Sequence, residues 1–284
     1  MHRLSLFGDL IKYKLSLAVV LSAITGFFMA GFTDFEALIF MASGVFFLSS
    51  SAAVLNQYSE RNTDILMERT RNRPIPSGKI TTNQALFIFL VLLTAGIFCL
   101  VQNGINPVLL GTLCIVLYNI LYTRLKRISI LAIIPGGFVG AIPPLIGYVS
   151  AGNNIFSPEI IFFSVFMFLW QVPHFWLLII RYGEEYSKAG LASISFYLDK
   201  TQLRKVVFYW VLFSNATFLA FFIVTGLFGL IFTITYLIVN VVFIFSFFRT
   251  LFNEGGKDRL NTSVVLINSY GLIIMIMLTL VSVI

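Results

Sequence analysis

The stretch FFLSSSAAVLNQYSERNTDILMERTRNRPIPSG, residues 46–78, begins as an apolar run and ends among charges. Its last 23 residues hold three acids, four arginines and two prolines, in a chain that is 58% hydrophobic and only 11% charged. A water-soluble domain carries roughly 25% charged residues. With a mean hydropathy of +0.95 this chain cannot clothe a water-facing surface in the usual way. Apolar runs of about 20 residues match a hydrocarbon core about 30 Å thick. The chain is therefore expected to be an all-α polytopic membrane protein.

Nine spans are expected outward from this stretch, at 15–33, 37–55, 83–101, 107–123, 129–149, 159–180, 205–225, 228–248 and 262–284. They lack strict alternation, so they read as helices rather than barrel strands. The first follows a basic start, MHRLSLFGDLIKYK, but its apolar part is longer than the 7–15 residues typical of a cleaved signal. It reads as a retained span, and residues 1–284 read as one transmembrane domain.

The charges test the count. Nine spans divide the loops into two alternating sets, and every Lys and Arg falls in the set holding the N-terminus, 56–82, 124–128, 181–204 and 249–261. The opposite set carries only Asp34, Glu36 and Glu159. Under the positive-inside rule the N-terminus and the basic loops are cytoplasmic and the C-terminus lies outside. The net charge of +7 is thus a topological signal and gives no ground for a nucleic-acid partner. Cys99 and Cys114 lie within spans and read as small apolar residues.

Asn56, Glu60 and Asp64 are spaced i, i+4, i+8, one face of a helix drifting about 40° per step. Amide and carboxylate oxygens in a row suit Mg²⁺, which is held through one or two carboxylates together with substrate phosphates. Arg69, Arg71 and Arg73 follow, and guanidinium groups pair with phosphate oxygens. An ordinary solvated loop is the competing reading, but Asn56 and Glu60 prolong the apolar helix. RPIPSG then stiffens the return into the third span. A Mg²⁺–diphosphate site with its lipid tail among the helices is expected.

The segment RYGEEYSKAG (181–190) places Glu184 and Glu185 after another apolar helix end, as a second ligand set or as a surface pair of Glu185 with Lys188. Within the spans, WQVPHFW (170–176) puts Gln171 and His174 in a helix expected to be interrupted at Pro173. Polar groups at membrane depth are costly and tend to mark function. For His174 three roles stand open: general base, haem contact, or a structural hydrogen bond. GAIPPLIGY (140–148) is expected to break its helix at Pro143 and Pro144 and to shape a pocket wall. YTRLKRIS (122–129) brings Lys126 and Arg127 to the basic face for the diphosphate, with Arg124 read as topological. Tyr118 and Tyr122 are candidate cavity or haem residues.

Taken together, NQYSERNTDILMERTRNRP, YTRLKRIS, GAIPPLIGY and WQVPHF, in that order, resemble the protoheme IX farnesyltransferase (haem O synthase) branch of the UbiA superfamily of intramembrane prenyltransferases. The N-xxx-[DE]-xxx-D pattern carries the superfamily; Met67, Arg69, Thr70, Arg73 and Pro74, with WQ-x-PHF, carry the branch. The resemblance implies a nine-helix bundle around a central cavity, farnesyl diphosphate and haem B as substrates in a lipid bilayer, and Mg²⁺. It implies Asn56, Glu60, Asp64 and His174 as catalytic residues, and Arg69, Arg73, Lys126, Arg127 and Arg181 at the diphosphate. A bacterial inner membrane is the implied location, with haem A synthase or a terminal oxidase assembly taking up the product. Two departures stand out. The middle Asp of the superfamily pattern is Glu60 here. The second acidic motif reads Arg181 and Glu185, and because Arg181 cannot bind a metal, Glu185 is the ligand expected from it. A quinone-pathway or chlorophyll-type prenyltransferase would share the acidic row without explaining WQVPHFW. A transporter would place broken helices near the bilayer midplane rather than charges at one face.

Overall fold

A computed structural model describes the backbone of residues 2–31, 34–190, 198–225, 229–253 and 256–283. Within these it describes side chains other than those of residues 2, 3, 184, 187, 222–225 and 256–258. In chain order the helices are α1 (His2–Ile11), α2 (Tyr13–Met29), α3 (Phe35–Asp64), α4 (Thr82–Val101), α5 (Ile105–Ile115) and the short α6 (Thr123–Leu125). They continue with α7 (Ile133–Ser150), α8 (Pro158–Lys188), α9 (Lys200–Thr225), α10 (Leu230–Phe252) and α11 (Gly256–Val283). A helix stands at each expected span. Among the described residues, seven are long and apolar enough to cross a bilayer, or eight when the bent pair α1–α2 counts as one. The one remaining expected span, 205–225, coincides with α9, 26 residues long. The chain is a multi-pass membrane protein.

Local chemistry explains where the helices start. The Asp34 carboxylate accepts the Glu36 N–H at 2.9 Å and opens α3. Thr81 and Gln84 form a reciprocal capping box at α4, and Asp199 with Gln202 exchange the same pair of bonds before α9. Each satisfies backbone donors that a helix start leaves unpaired.

Neither set of prolines ends its helix, contrary to the reading of 140–148 and 170–176. α7 runs through Pro143 and Pro144, and α8 runs through Pro173. A proline withholds one N–H from the carbonyl four residues earlier. In α7 the carbonyl so freed by Pro143 belongs to Val139, and it lies 4.0 Å from the Cys114 thiol of α5, which donates to it. Cys114 is thus more than an apolar filler, because it helps the helix tolerate its proline.

α7 is the central element, packed against α2, α5 and α8. Its contact with α2 is backbone to backbone. A Cβ at Gly147 would collide with the Ala23 carbonyl, and one at Gly26 with the Pro144 carbonyl. α3 lies along α4, and α11 closes against α2 and α8. Phe163, Phe166, Phe218, Phe221 and Phe247 fill the core between α8 and the last three helices. That core holds a polar cluster. The Asn240 amide donates to Asn215 Oδ1 at 3.0 Å and to the Tyr236 hydroxyl at 2.8 Å, and the Tyr270 hydroxyl donates to the same Asn215 oxygen. Buried polar groups are tolerated when paired in this way, and the cluster ties α9, α10 and α11 together.

Candidate active site

α3 runs unbroken from the apolar region to Asp64, so the i, i+4, i+8 reading holds as geometry. Asn56, Glu60 and Asp64 are all buried, at 2%, 5% and 1% exposure. They line one cavity of about 380 Å³. Its charged mouth also includes Lys12, Arg69, Arg73 and Lys126.

Each of the two acids faces a cation, and a third cation faces the amide. Arg73 Nη1 donates to Asp64 Oδ2 at 2.7 Å. Lys126 forms an ion pair with Glu60, and Lys12 Nζ donates to Asn56 Oδ1 at 3.2 Å. The Asn56 amide in turn donates to Thr123 Oγ1 at 3.4 Å, which fixes which way the side chain faces. The loop after α3 is folded back to make this possible: the Thr70 hydroxyl donates to the Asp64 carbonyl at 2.9 Å, and Met67 and Thr70 are buried.

Lys12 carried only a topological reading in the sequence. It reaches the site because it breaks the helix between α1 and α2 at φ 49°, ψ 51°, a left-handed conformation. It is the only non-glycine residue with positive φ among those described. Leu10 and Ile11 anchor the break in a cluster with Val54, Ile75, Ala85 and Leu92, and the Gln57 amide donates to the carbonyls of Asp9 and Leu10 at 3.1 and 2.9 Å.

The far wall is aromatic. Residues Val116–Tyr122 form a π-helical segment between α5 and α6, a form that often marks functional sites. It stacks Tyr118 on Tyr122 at 5.7 Å and 9°, and Tyr122 meets Phe175 of α8 at 5.8 Å. Gln171 and His174 stand beside them on the cavity wall. A Cβ at Gly140 would clash with the Gln171 side chain, so the glycine admits it. The His174 ring stacks on Trp170 at 6.1 Å, and its Nδ1 is buried without a hydrogen-bond partner.

Other expected site residues do not line this cavity. Arg127 donates to the Ser59 carbonyl at 3.3 Å, and Arg181 lies over the Tyr182 ring at 4.7 Å. Glu185 Oε2 accepts the Arg69 backbone N–H at 3.4 Å, and the Glu184 side chain lies outside the described residues. Tyr186, from the same segment, does line the cavity. Nothing in its spacing had singled it out.

The site's chemistry is thus a buried amide–carboxylate row faced by cations, opening to an apolar and an aromatic wall. The sequence profile of the UbiA prenyltransferase family matches residues 19–270. The chain belongs to that family. A protoheme IX farnesyltransferase of Oleidesulfovibrio alaskensis is 37% identical over 185 residues, 65% of this chain and 66% of that protein. One from Cytophaga hutchinsonii is 38% identical over 65% of each chain. The alignments thus span just under two thirds of these relatives' length. One from Flavobacterium psychrophilum is 33% identical over 78% of this chain and 75% of its own. Among solved structures, one described for digeranylgeranylglyceryl phosphate synthase superposes with a TM-score of 0.78 at 18% identity, covering 99% of both chains. A UbiA homolog from Archaeoglobus fulgidus bound to GPP and Mg²⁺ gives 0.73 at 14% identity, covering 95% of this chain and 99% of that one. At such distances the structural likeness shows a shared UbiA fold.

Proposed function

We propose that the chain transfers a farnesyl group from farnesyl diphosphate to the vinyl group of protoheme IX, with addition of water, giving haem O and diphosphate. The observation that carries this is one cavity joining a cation-rich mouth, an apolar lobe and an aromatic wall bearing His174. The names of the relatives and the WQVPHF segment support haem as the acceptor.

The residues fit Mg²⁺. Asp64 Oδ1 is buried without a hydrogen-bond partner while Oδ2 holds Arg73, and Asn56 and Glu60 present oxygens to the same cavity. No group of three or more His, Cys, Asp or Glu gathers into an all-protein metal site among the described residues, which agrees with an ion that shares its shell with phosphate. Asn56, Glu60 and Asp64 would hold it, and when bound it neutralises charge developing on the diphosphate.

Arg69, Arg73, Lys126 and Lys12 receive the leaving diphosphate, the kind of electrostatic stabilisation that dominates such steps. The donor C–O bond breaks and its electron pair departs with the diphosphate. The vinyl π pair forms the new C–C bond, and the haem-side cation takes up water. His174 Nδ1 accepts that water's proton. Gln171, Tyr118, Tyr122 and Phe175 hold the porphyrin edge and exclude bulk water. Glu185 braces the Arg69 loop through its backbone N–H, and Arg127 and Arg181 set the positive potential of the face. That face is cytoplasmic in a bacterial inner membrane, with the N-terminus inside and the C-terminus outside, and haem A synthase or a terminal oxidase assembly receives the product.

The test is mass spectrometry of haems formed by purified protein from haem B, farnesyl diphosphate and Mg²⁺, with 4-hydroxybenzoate offered in parallel. A haem gaining one farnesyl group and one water is the expected product. Prenylation of 4-hydroxybenzoate with haem B left untouched would instead place the chain in the quinone branch.

A further inference from the structure

The cavity's apolar lobe runs from the charged mouth along α3, past Ala52 and Leu48 to Val45, with Gly111 and Cys114 of α5 opposite. Leu48 lies about 12 Å below Asn56 along the helix axis, and Val45 about 16 Å, at 1.5 Å per residue. An isoprene unit adds four carbons to the chain and advances about 5 Å at C–C bonds near 1.5 Å. Leu48 therefore stands beside the third unit of a prenyl chain whose diphosphate sits at the mouth, and Val45 marks the end of that unit.

Leu48 has no room to withdraw from the lobe. It is 5% exposed and seated in a notch cut by two glycines from different helices. A Cβ at Gly96 of α4 would lie 2.7 Å from both Leu48 Cγ and Cδ2. One at Gly111 would lie 2.5 Å from Leu48 Cδ1 and 3.1 Å from Leu100 Cδ1. Leu48 lines the lobe and Gly96 does not, so the leucine stands between that glycine and the substrate space.

We propose that Leu48, held in the Gly96–Gly111 notch, is a specificity-determining residue that sets the prenyl chain length the protein accepts. The glycines keep the leucine far enough back for a third isoprene unit, and the leucine side chain narrows the path to a fourth. This rests on the prenyl-transfer reading above. A residue larger than glycine in the notch drives either the leucine or its own methyl into the lobe. A smaller residue at 48 opens the lobe toward the gap left between α4 and α5.

The experiment offers geranyl, farnesyl and geranylgeranyl diphosphates together, in equal amounts, to the full chain in nanodiscs with haem B and Mg²⁺. Products are read by mass, so their ratio gives the ratio of kcat/KM values within one sample. That ratio does not depend on how much of a variant folds. A hydrophobic pocket discriminates one methylene by about 10- to 200-fold. Leu48→Ala is expected to raise the geranylgeranyl-to-farnesyl ratio about tenfold, and Gly111→Ala to lower the farnesyl-to-geranyl ratio by a similar factor. Ratios equal to wild type in both variants would overturn the assignment of Leu48 while leaving prenyl transfer standing. A wild-type protein that prenylates haem with none of the donors would overturn both.

Discussion

The ends of α3 and α8 look alike in sequence and differ in the folded protein. Each is an apolar helix running into acids and bases at the same face. At the end of α3 the acids are almost fully buried, each is matched to a cation, and one carboxylate oxygen of Asp64 is left unpartnered beside the cavity. At the end of α8 Arg181 lies on a tyrosine ring and Glu185 accepts a backbone N–H at the edge of hydrogen-bonding distance. The difference shows that an acid following an apolar helix is not sufficient for a site. Burial makes the charge consequential, because removing one partner of a buried pair leaves the other uncompensated, whereas exposed pairs contribute about 0–1 kcal/mol.

The comparison breaks or holds most sharply at Asp64. Asp64→Asn keeps the side chain's shape and removes its charge. A drop of about 10²- to 10³-fold in kcat for haem O formation is expected, the size seen when one electrostatic stabiliser is lost, together with a lower melting temperature, because Arg73 loses its buried ionic partner. Retained turnover in single-turnover assays would sink the metal assignment at the end of α3.

A smaller loss is expected at Arg73. Its guanidinium holds Asp64 at 2.7 Å in the structure and receives diphosphate in the proposed reaction. Arg73→Gln removes a charge-assisted hydrogen bond of about 1.5–3 kcal/mol, which predicts about a 10- to 100-fold fall in kcat/KM for farnesyl diphosphate. Inorganic pyrophosphate should also inhibit the variant less than the wild type. Unchanged inhibition would show that the arginine serves only the carboxylate.

The sequence disclosed the parts of this site that lie on one helix. Asn56, Glu60 and Asp64 share a face by arithmetic alone, and an apolar run joined to them without a break signals that α3 continues. The apolar runs located the helices for the same reason, since hydropathy depends on chain order and not on packing. What stayed hidden depends on contacts between elements. Lys12 enters the site only through a left-handed break that carries no Gly or Pro to announce it. The π-helical turn that stacks Tyr118 on Tyr122 arises where Thr123 bonds back to the Tyr118 carbonyl at 2.8 Å. The prolines of α7 and α8 misled because helix continuity there rests on neighbours, such as the Cys114 thiol, that lie elsewhere in the chain. Arg127 and Arg181 were indistinguishable in sequence from Lys126 and Arg73, and only the fold separates the pair that lines the cavity from the pair that does not.

Glu185 supplies the least perturbing test of the contrast. Its carboxylate lies outside the cavity and accepts one long hydrogen bond from the Arg69 backbone. Glu185→Gln retains an acceptor oxygen for that bond and removes only the charge. If the carboxylate braces a loop, the variant keeps kcat within about threefold and keeps its Mg²⁺ dependence, because a neutral amide replaces an interaction worth about 0.5–1.5 kcal/mol. If instead it held a second metal ion, the half-saturating Mg²⁺ concentration would rise about tenfold or more, as lost metal-site interactions typically cost. Measuring turnover against Mg²⁺ at saturating farnesyl diphosphate separates these outcomes, since the first moves neither axis appreciably and the second moves the metal axis alone. A shift of the second kind would restore the end of α8 as an equal partner of the end of α3.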